Sequence, residues 1–132
     1  MISKTSLLTI KALLELSRLP LGQTEGVGSI AKKIQAPQNY LGKVLQRLAA
    51  EGIVVSKKGL KGGFRLSKDP SQMNLYNIVD ILEDVKEWED CFMGKKPCSE
   101  STPCCAHKRW DIVRRAYADF LKNTTIADLQ RS

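Results

Sequence analysis

Apolar residues in the first third of the chain return every three or four positions, and each such run predicts a helix. Leu7, Ile10, Leu13 and Leu14 predict a first helix, capped by Ser3 or Thr5 and ended near Pro20. The glycine-rich stretch 21–28 reads as a loop; it lacks the spacing and the Lys-Ser/Thr ending of a phosphate cradle. Ser29 then caps a short helix, Ile30-Ala-Lys-Lys-Ile34. Gln35-Ala36 make a tight turn, and Pro37 opens a longer helix stopped by Gly52. On that helix Tyr40, Leu41, Val44, Leu45 and Leu48 form an apolar stripe, with Asn39, Gly42, Lys43, Gln46 and Arg47 on the opposite face.

The pattern then changes. Ile53-Val-Val-Ser-Lys57 reads as a strand, Lys58-Gly-Leu-Lys-Gly-Gly63 as a basic turn and Phe64-Arg-Leu66 as the returning strand, with Arg65 placed at or near the tip with the lysines. After Asp69-Pro70, Asn74 caps a helix with Leu75, Ile78, Val79, Leu82 and Val85 inward. Its outer face turns acidic through Glu83, Asp84, Glu87, Glu89 and Asp90 and should point away from a polyanion. Trp110, Val113, Tyr117, Phe120 and Leu121 mark a last long helix, and Asn123-Thr-Thr125 caps a short closing turn.

Two helices joined by so short a turn predict a helix-turn-helix, and a basic hairpin directly after it makes a winged helix. The expected fold is mainly α with a small β hairpin. It comprises a winged helix-turn-helix DNA-binding domain over 1–70, a linker helix over 71–90, a Cys-rich loop over 91–107 and a dimerisation helix with a C-terminal cap over 108–132. The stripe on the last helix suits either a core or a homodimer seam. The seam is preferred because one winged helix makes few contacts, whereas two-fold partners read half-sites about 34 Å apart.

Charge changes this picture from structural to functional. Residues 1–70 hold 12 Lys/Arg against 4 Asp/Glu, and residues 71–132 hold 9 against 10, so the whole net charge of +7 lies in the first half. A basic half joined to a near-neutral one points to nucleic acid, and the winged helix to double-stranded DNA, which the resemblance described below makes promoter DNA. The candidate contacts are Ser29, Gln38, Asn39, Lys43, Gln46 and Arg47 on the helices, and Lys57, Lys58, Lys61, Gly62 and Arg65 on the wing. Amide and guanidinium groups suit base edges in the major groove, and the wing would follow phosphate or enter the minor groove. An ordinary amphipathic helix with a solvated basic surface is the competing reading.

At 132 residues the chain can fold without disulfide staples. No secretory or membrane-spanning stretch stands out, which leaves a cytoplasmic protein as the expectation. All four cysteines and the single histidine nevertheless fall between Cys91 and His107, among Gly and Pro residues that favour a loop around a metal. By ligand type alone zinc is the better match, and a reversible disulfide is a further option. No phosphate loop, nucleophile elbow or His-carboxylate constellation argues for an enzyme.

Taken together, the motifs Tyr40-Leu41, Gly52-Ile53-Val54, the wing Gly59-Leu-Lys-Gly-Gly-Phe-Arg-Leu66, the Cys run and Thr125-Ile-Ala-Asp-Leu129 resemble the bacterial transcription regulators typified by IscR, NsrR and CymR. The resemblance covers nearly the whole chain. It implies a dimeric repressor or activator whose loop holds an iron-sulfur cluster, [2Fe-2S] ahead of [4Fe-4S], through three cysteines. Cys91, Cys98 and Cys104 match those positions, and His107 matches the fourth ligand of IscR-like members. Two departures stand out. Six residues separate Cys91 from Cys98, one more than expected, and Cys105 is an extra thiol that is the alternative fourth ligand. The acidic ligand that some members take from the first helix of the partner subunit has no counterpart in Ser6-Leu-Leu-Thr9.

Overall fold

Ser3, rather than Thr5, caps the first helix. Its hydroxyl accepts the Ser6 amide at 3.1 Å, and α1 runs Lys4–Ser17. The protein is described by a computed structural model that covers residues 2–85, 91–93, 101 and 104–131. Ile10, Ala12, Leu13 and Leu16 bury one face of α1, but Leu7 is turned outward.

The next helix starts earlier than the sequence pattern indicates. α2 spans Val27–Ile34 with Gly26 as its cap, so Ser29 lies inside the first turn and does not cap it. The reason lies in the hairpin. Glu25 exchanges backbone hydrogen bonds with Phe64 at 3.0 and 2.8 Å, which fixes the chain as a short third strand segment and leaves it to enter the helix at once. Gln35, in the left-handed region at φ 57°, ends α2. Pro37 is extended and serves as the cap of α3, Gln38–Ala50, so Gln38 is its first residue. Leu41, Val44, Leu45 and Leu48 are buried as the stripe predicts. Tyr40 is not; it is 43% exposed and shares a hydroxyl hydrogen bond with Thr5 of α1.

Strands β1 (Val54–Lys57) and β2 (Gly63–Leu66) pair antiparallel with Val54 opposite Leu66 and Lys57 opposite Gly63. Gly63 holds φ 152°, and a Cβ there would stand 2.3 Å from the Glu25 carbonyl oxygen, so the strand segment at Glu25 requires glycine. After a 3-10 turn at Pro70–Gln72, Asn74 accepts the Asn77 amide at 2.9 Å and starts α4, Leu75–Leu82.

This helix stops before the predicted acidic face develops. Val85 is buried but lies beyond it, and Glu87, Glu89 and Asp90 lie outside the described residues. Glu83 is not a solvated outer residue. Its two carboxylate oxygens accept the Ser3 amide and the Ser6 hydroxyl, each at 2.9 Å, joining the end of α4 to the start of α1.

Helix α5 spans His107–Asn123, and α6, Ile126–Gln130, closes the chain with a reciprocal capping box between Thr125 and Asp128. Leu75 and Ile126 donate backbone hydrogen bonds to Thr124 and Met73, both at 2.9 Å, stitching α4 to the α5–α6 junction. One apolar core runs through Leu13, Leu45, Ile78, Leu121 and Ile126, so the last helices share the core of the first three. Each such side chain contributes about 1.5–3 kcal/mol by burial. On α5 only Leu121 is fully buried, and Ile112, Val113 and Phe120 are 66, 47 and 52% exposed.

Candidate nucleic-acid interface and cysteine loop

The core stripe of α3 forces its other face into solvent, because residues three and four apart share a face and the remainder cannot. Gln38, Asn39, Lys43, Gln46 and Arg47 are all exposed there. Two glycines lie where α2 and α3 meet. A Cβ on Gly42 would meet Val27 of α2 at 3.8 Å, and one on Gly28 would meet the Gln38 side chain at 3.4 Å, so Gln38 lies along the bare surface of α2. Gly42 faces α2, and the space there would admit a methyl group. Ser29 is exposed on α2, and its hydroxyl donates to the Glu25 carboxylate at 3.3 Å.

Glu25 is a functional-region residue that sequence patterning did not single out. Its side chain is 7% exposed, and its Oε2 accepts Lys33 Nζ at 2.8 Å. The other oxygen accepts no hydrogen bond from any described group. The hydrogen bond and charge of Glu25 push the Lys33 ammonium above the ordinary lysine range against a smaller opposing effect of burial. The signal was available in principle, since an acidic residue eight positions before Lys33 lay in a basic half, but only the strand pairing buries it.

Lys57, Lys58 and Lys61 are exposed on the wing, with Gly62 half-buried behind them. Gly62 donates its amide to Gly59 at 2.9 Å, and a Cβ on it would lie 2.2 Å from the Lys57 carbonyl oxygen. Thr24 donates its hydroxyl to the Lys61 carbonyl at 3.0 Å, anchoring the turn. Arg65 is not at the tip. It stands opposite Val55 near the base of the hairpin, half-buried, and lines a pocket of about 310 Å³ with Leu16, Pro20, Gln23 and Asp69.

Cys91 and Cys104 come together across the loop with their Sγ atoms 3.4 Å apart. Two thiolates on one tetrahedral ion, with metal–sulfur bonds of about 2.3 Å, stand about 3.8 Å apart. The observed separation is shorter than that, and well beyond a disulfide bond of about 2.05 Å. The two soft donors are adjacent without being bonded to each other. His107 is the first residue of α5 and donates its amide to the Cys104 carbonyl at 3.1 Å, while Cys105 is exposed.

Phe92 packs on Trp110 of α5 with ring centroids 5.4 Å apart. One turn beyond His107, burial works against the Asp111 carboxylate, but hydrogen bonding and charge from Arg114 and Arg115 prevail and hold its carboxyl below the ordinary range. Cys98 lies outside the described residues, and among the described residues no group of three or more Cys, His, Asp or Glu is gathered as a metal site.

A helix-turn-helix whose second helix presents amides and cations, followed by a lysine-tipped hairpin, is a winged-helix DNA-binding fold. The chain belongs to the Rrf2 family, described as iron-dependent transcriptional regulators, whose model matches residues 2–132. It is 36% identical over 122 residues to an HTH-type transcriptional regulator of Aquifex aeolicus (strain VF5), covering 89% of this chain and 85% of that one. It is 30% identical over 122 residues to NsrR of Shouchella clausii (strain KSM-K16), covering 92 and 82%.

Among solved structures, CymR, the global cysteine regulator of B. subtilis, superposes with a TM-score of 0.78 at 25% identity over 99% of this chain and 96% of that one. T. potens IscR shares the fold, with a TM-score of 0.76 at 21% identity over 99 and 86%. The protein is therefore a DNA-binding transcriptional regulator, of a family that is not one of enzymes.

Proposed function

We propose that this regulator is a homodimer that binds promoter DNA through α3 and the wing, and that the state of the Cys91–His107 loop controls that binding. The observation that carries the proposal is the 3.4 Å approach of Cys91 and Cys104 across 13 residues, at the foot of a helix whose Ile112, Val113 and Phe120 face outward. In this reading Cys91, Cys98 and Cys104 hold an iron-sulfur cluster, [2Fe-2S] ahead of [4Fe-4S], with His107 as fourth ligand and Cys105 as its alternative. When bound, such a group supplies iron–thiolate bonds that respond to oxidation or loss, and an imidazole ligand shifts its potential. The cytoplasm is the matching compartment, and among the described residues no helix is long and apolar enough to cross a membrane.

The chain's own residues give a route from loop to DNA. Glu83 ends the helix that leads toward Cys91 and grips the first turn of α1 through Ser3 and Ser6. Thr5 of that turn bonds Tyr40 of α3. Burial, and secondarily the charge of Glu83, push the Tyr117 phenol of α5 upward, which places the same carboxylate within electrical reach of the helix after the loop. A reordered loop thus acts on the seating of the recognition helix by favouring one of two arrangements, a coupling typically worth about 1–3 kcal/mol.

Anaerobic purification with iron, sulfide and visible-absorption measurements, followed by promoter binding of loaded and unloaded protein, tests this. A coloured, iron- and sulfide-containing dimer whose DNA affinity differs at least about fivefold between the two forms is expected. Zinc without colour would replace the cluster with a structural metal, and equal affinity would remove the switch while leaving DNA binding intact. A second reading, a metal-independent thiol switch, is favoured by the same sulfur pair. A two-proton mass loss under oxidant, mapped to Cys91–Cys104, would support it.

A further inference from the structure

The wing carries at its tip a residue with no part in the core or in the positive charge. Leu60 is 109% exposed, between Gly59 and Lys61. A lone exposed leucine on an ordinary surface needs no account, but this one sits on a held backbone. The Gly62 amide closes the turn on the Gly59 carbonyl, and the Thr24 hydroxyl ties Lys61 back to the segment that enters α2. Gly59 and Gly63 take positive φ, and Gly62 leaves no space for a side chain, so this shape of the turn requires glycine at all three positions. Lys57, Lys58 and Lys61 surround the leucine with flexible cations.

We propose that Leu60 reads the minor groove and sets a preference for A·T pairs beneath the wing. The inference rests on the DNA-binding reading and adds a specificity residue to it. Lysines engaged with phosphates on the two strands leave the residue between them facing the groove, which at about 6 Å is wide enough for one side chain but not for a helix. An A·T floor presents only the adenine N3 and thymine O2 acceptors, whereas G·C adds the exocyclic N2 amine as a donor. Leucine cannot accept that donor. Covering it strips the amine of water without a replacement, whereas the A·T floor offers no such group to strand. The affinity supplied by the lysines carries no such discrimination.

The test starts from selection of bound sequences out of random duplexes with the intact protein, followed by titrations on three versions of the selected site. The wing-facing pairs are left A·T, changed to G·C, or changed to inosine·C, which keeps the major-groove face of G·C but lacks the N2 amine. The intact protein is expected to bind the A·T and inosine·C duplexes alike and the G·C duplex about tenfold more weakly.

Leu60→Ala is expected to bind A·T about tenfold more weakly and to lose most of the discrimination. Lys58→Ala is expected to weaken all three equally and to flatten the salt dependence. Unchanged A·T, inosine·C and G·C ratios in Leu60→Ala overturn the role of Leu60 alone. No selected sequence at all overturns the DNA-binding reading, and Leu60 with it.

Discussion

The winged half and the cysteine loop are built on opposite principles. Every candidate DNA contact on α3 projects from a helix whose other face is locked by Leu41, Leu45 and Leu48, and the wing is pinned through Glu25, Thr24 and Gly63. At the loop the described residues show a Cys–Cys approach, a ring pair and the first turn of α5. Packing preorganises the reading surface.

The strongest blow to the rigid half is Gly63→Ala. Its new methyl meets the Glu25 carbonyl, and a loss of about 2–4 kcal/mol is expected in urea unfolding, with DNA binding weakened as the wing leaves its place. An unchanged midpoint would show that the wing is not preorganised. At the loop, if the cluster is held as proposed, Cys91→Ser or Cys104→Ser should abolish retention of iron while leaving the stability of the unloaded protein in urea unfolding within about 0.5 kcal/mol of the original, and Cys105→Ser should retain the metal. A comparable collapse of stability in the first two would mean that the loop is part of the core after all.

The contact between the halves is probed by Glu83→Gln. It should cost about 1–2 kcal/mol, as a charge-assisted bond gives way to a neutral one. It should also narrow the difference in DNA affinity between loaded and unloaded protein, and an unaltered difference would take Glu83 out of the route.

The smallest effect is local. Thr125→Ala should cost about 1 kcal/mol through loss of the α6 cap. The Asp128 carboxyl is held below the ordinary range by the Thr125 amide first and its hydroxyl next. Its contribution is therefore present in full above the unfolded value of about 3.9 and lost as pH falls through the folded one. Asp128→Asn should flatten that acid limb of the stability profile and nothing else.

The helix faces were legible because burial and periodicity are the same fact seen twice. Leu41, Val44, Leu45 and Leu48 could be assigned from spacing alone, and Asn74 and Thr125 from their cap chemistry. Tyr40 was misplaced because an amphipathic side chain at the border of a stripe goes where its hydroxyl finds a partner, here Thr5. Ser29 was misplaced because a cap depends on where the preceding chain is fixed, and a hairpin nearly forty residues away fixes it at Glu25. Glu83 was misplaced because an acidic run looks solvated until another helix end supplies donors.

By itself, then, the chain determined which faces are apolar, where the basic charge gathers, and which residue types crowd the loop between Cys91 and His107. These follow from local periodicity and composition. Only the tertiary structure decided that Cys91 and Cys104 meet, that Glu25 is buried beneath the wing, and that Glu83 holds the start of α1. Each joins residues well separated along the chain, and such pairings follow from how the whole core closes rather than from any short window.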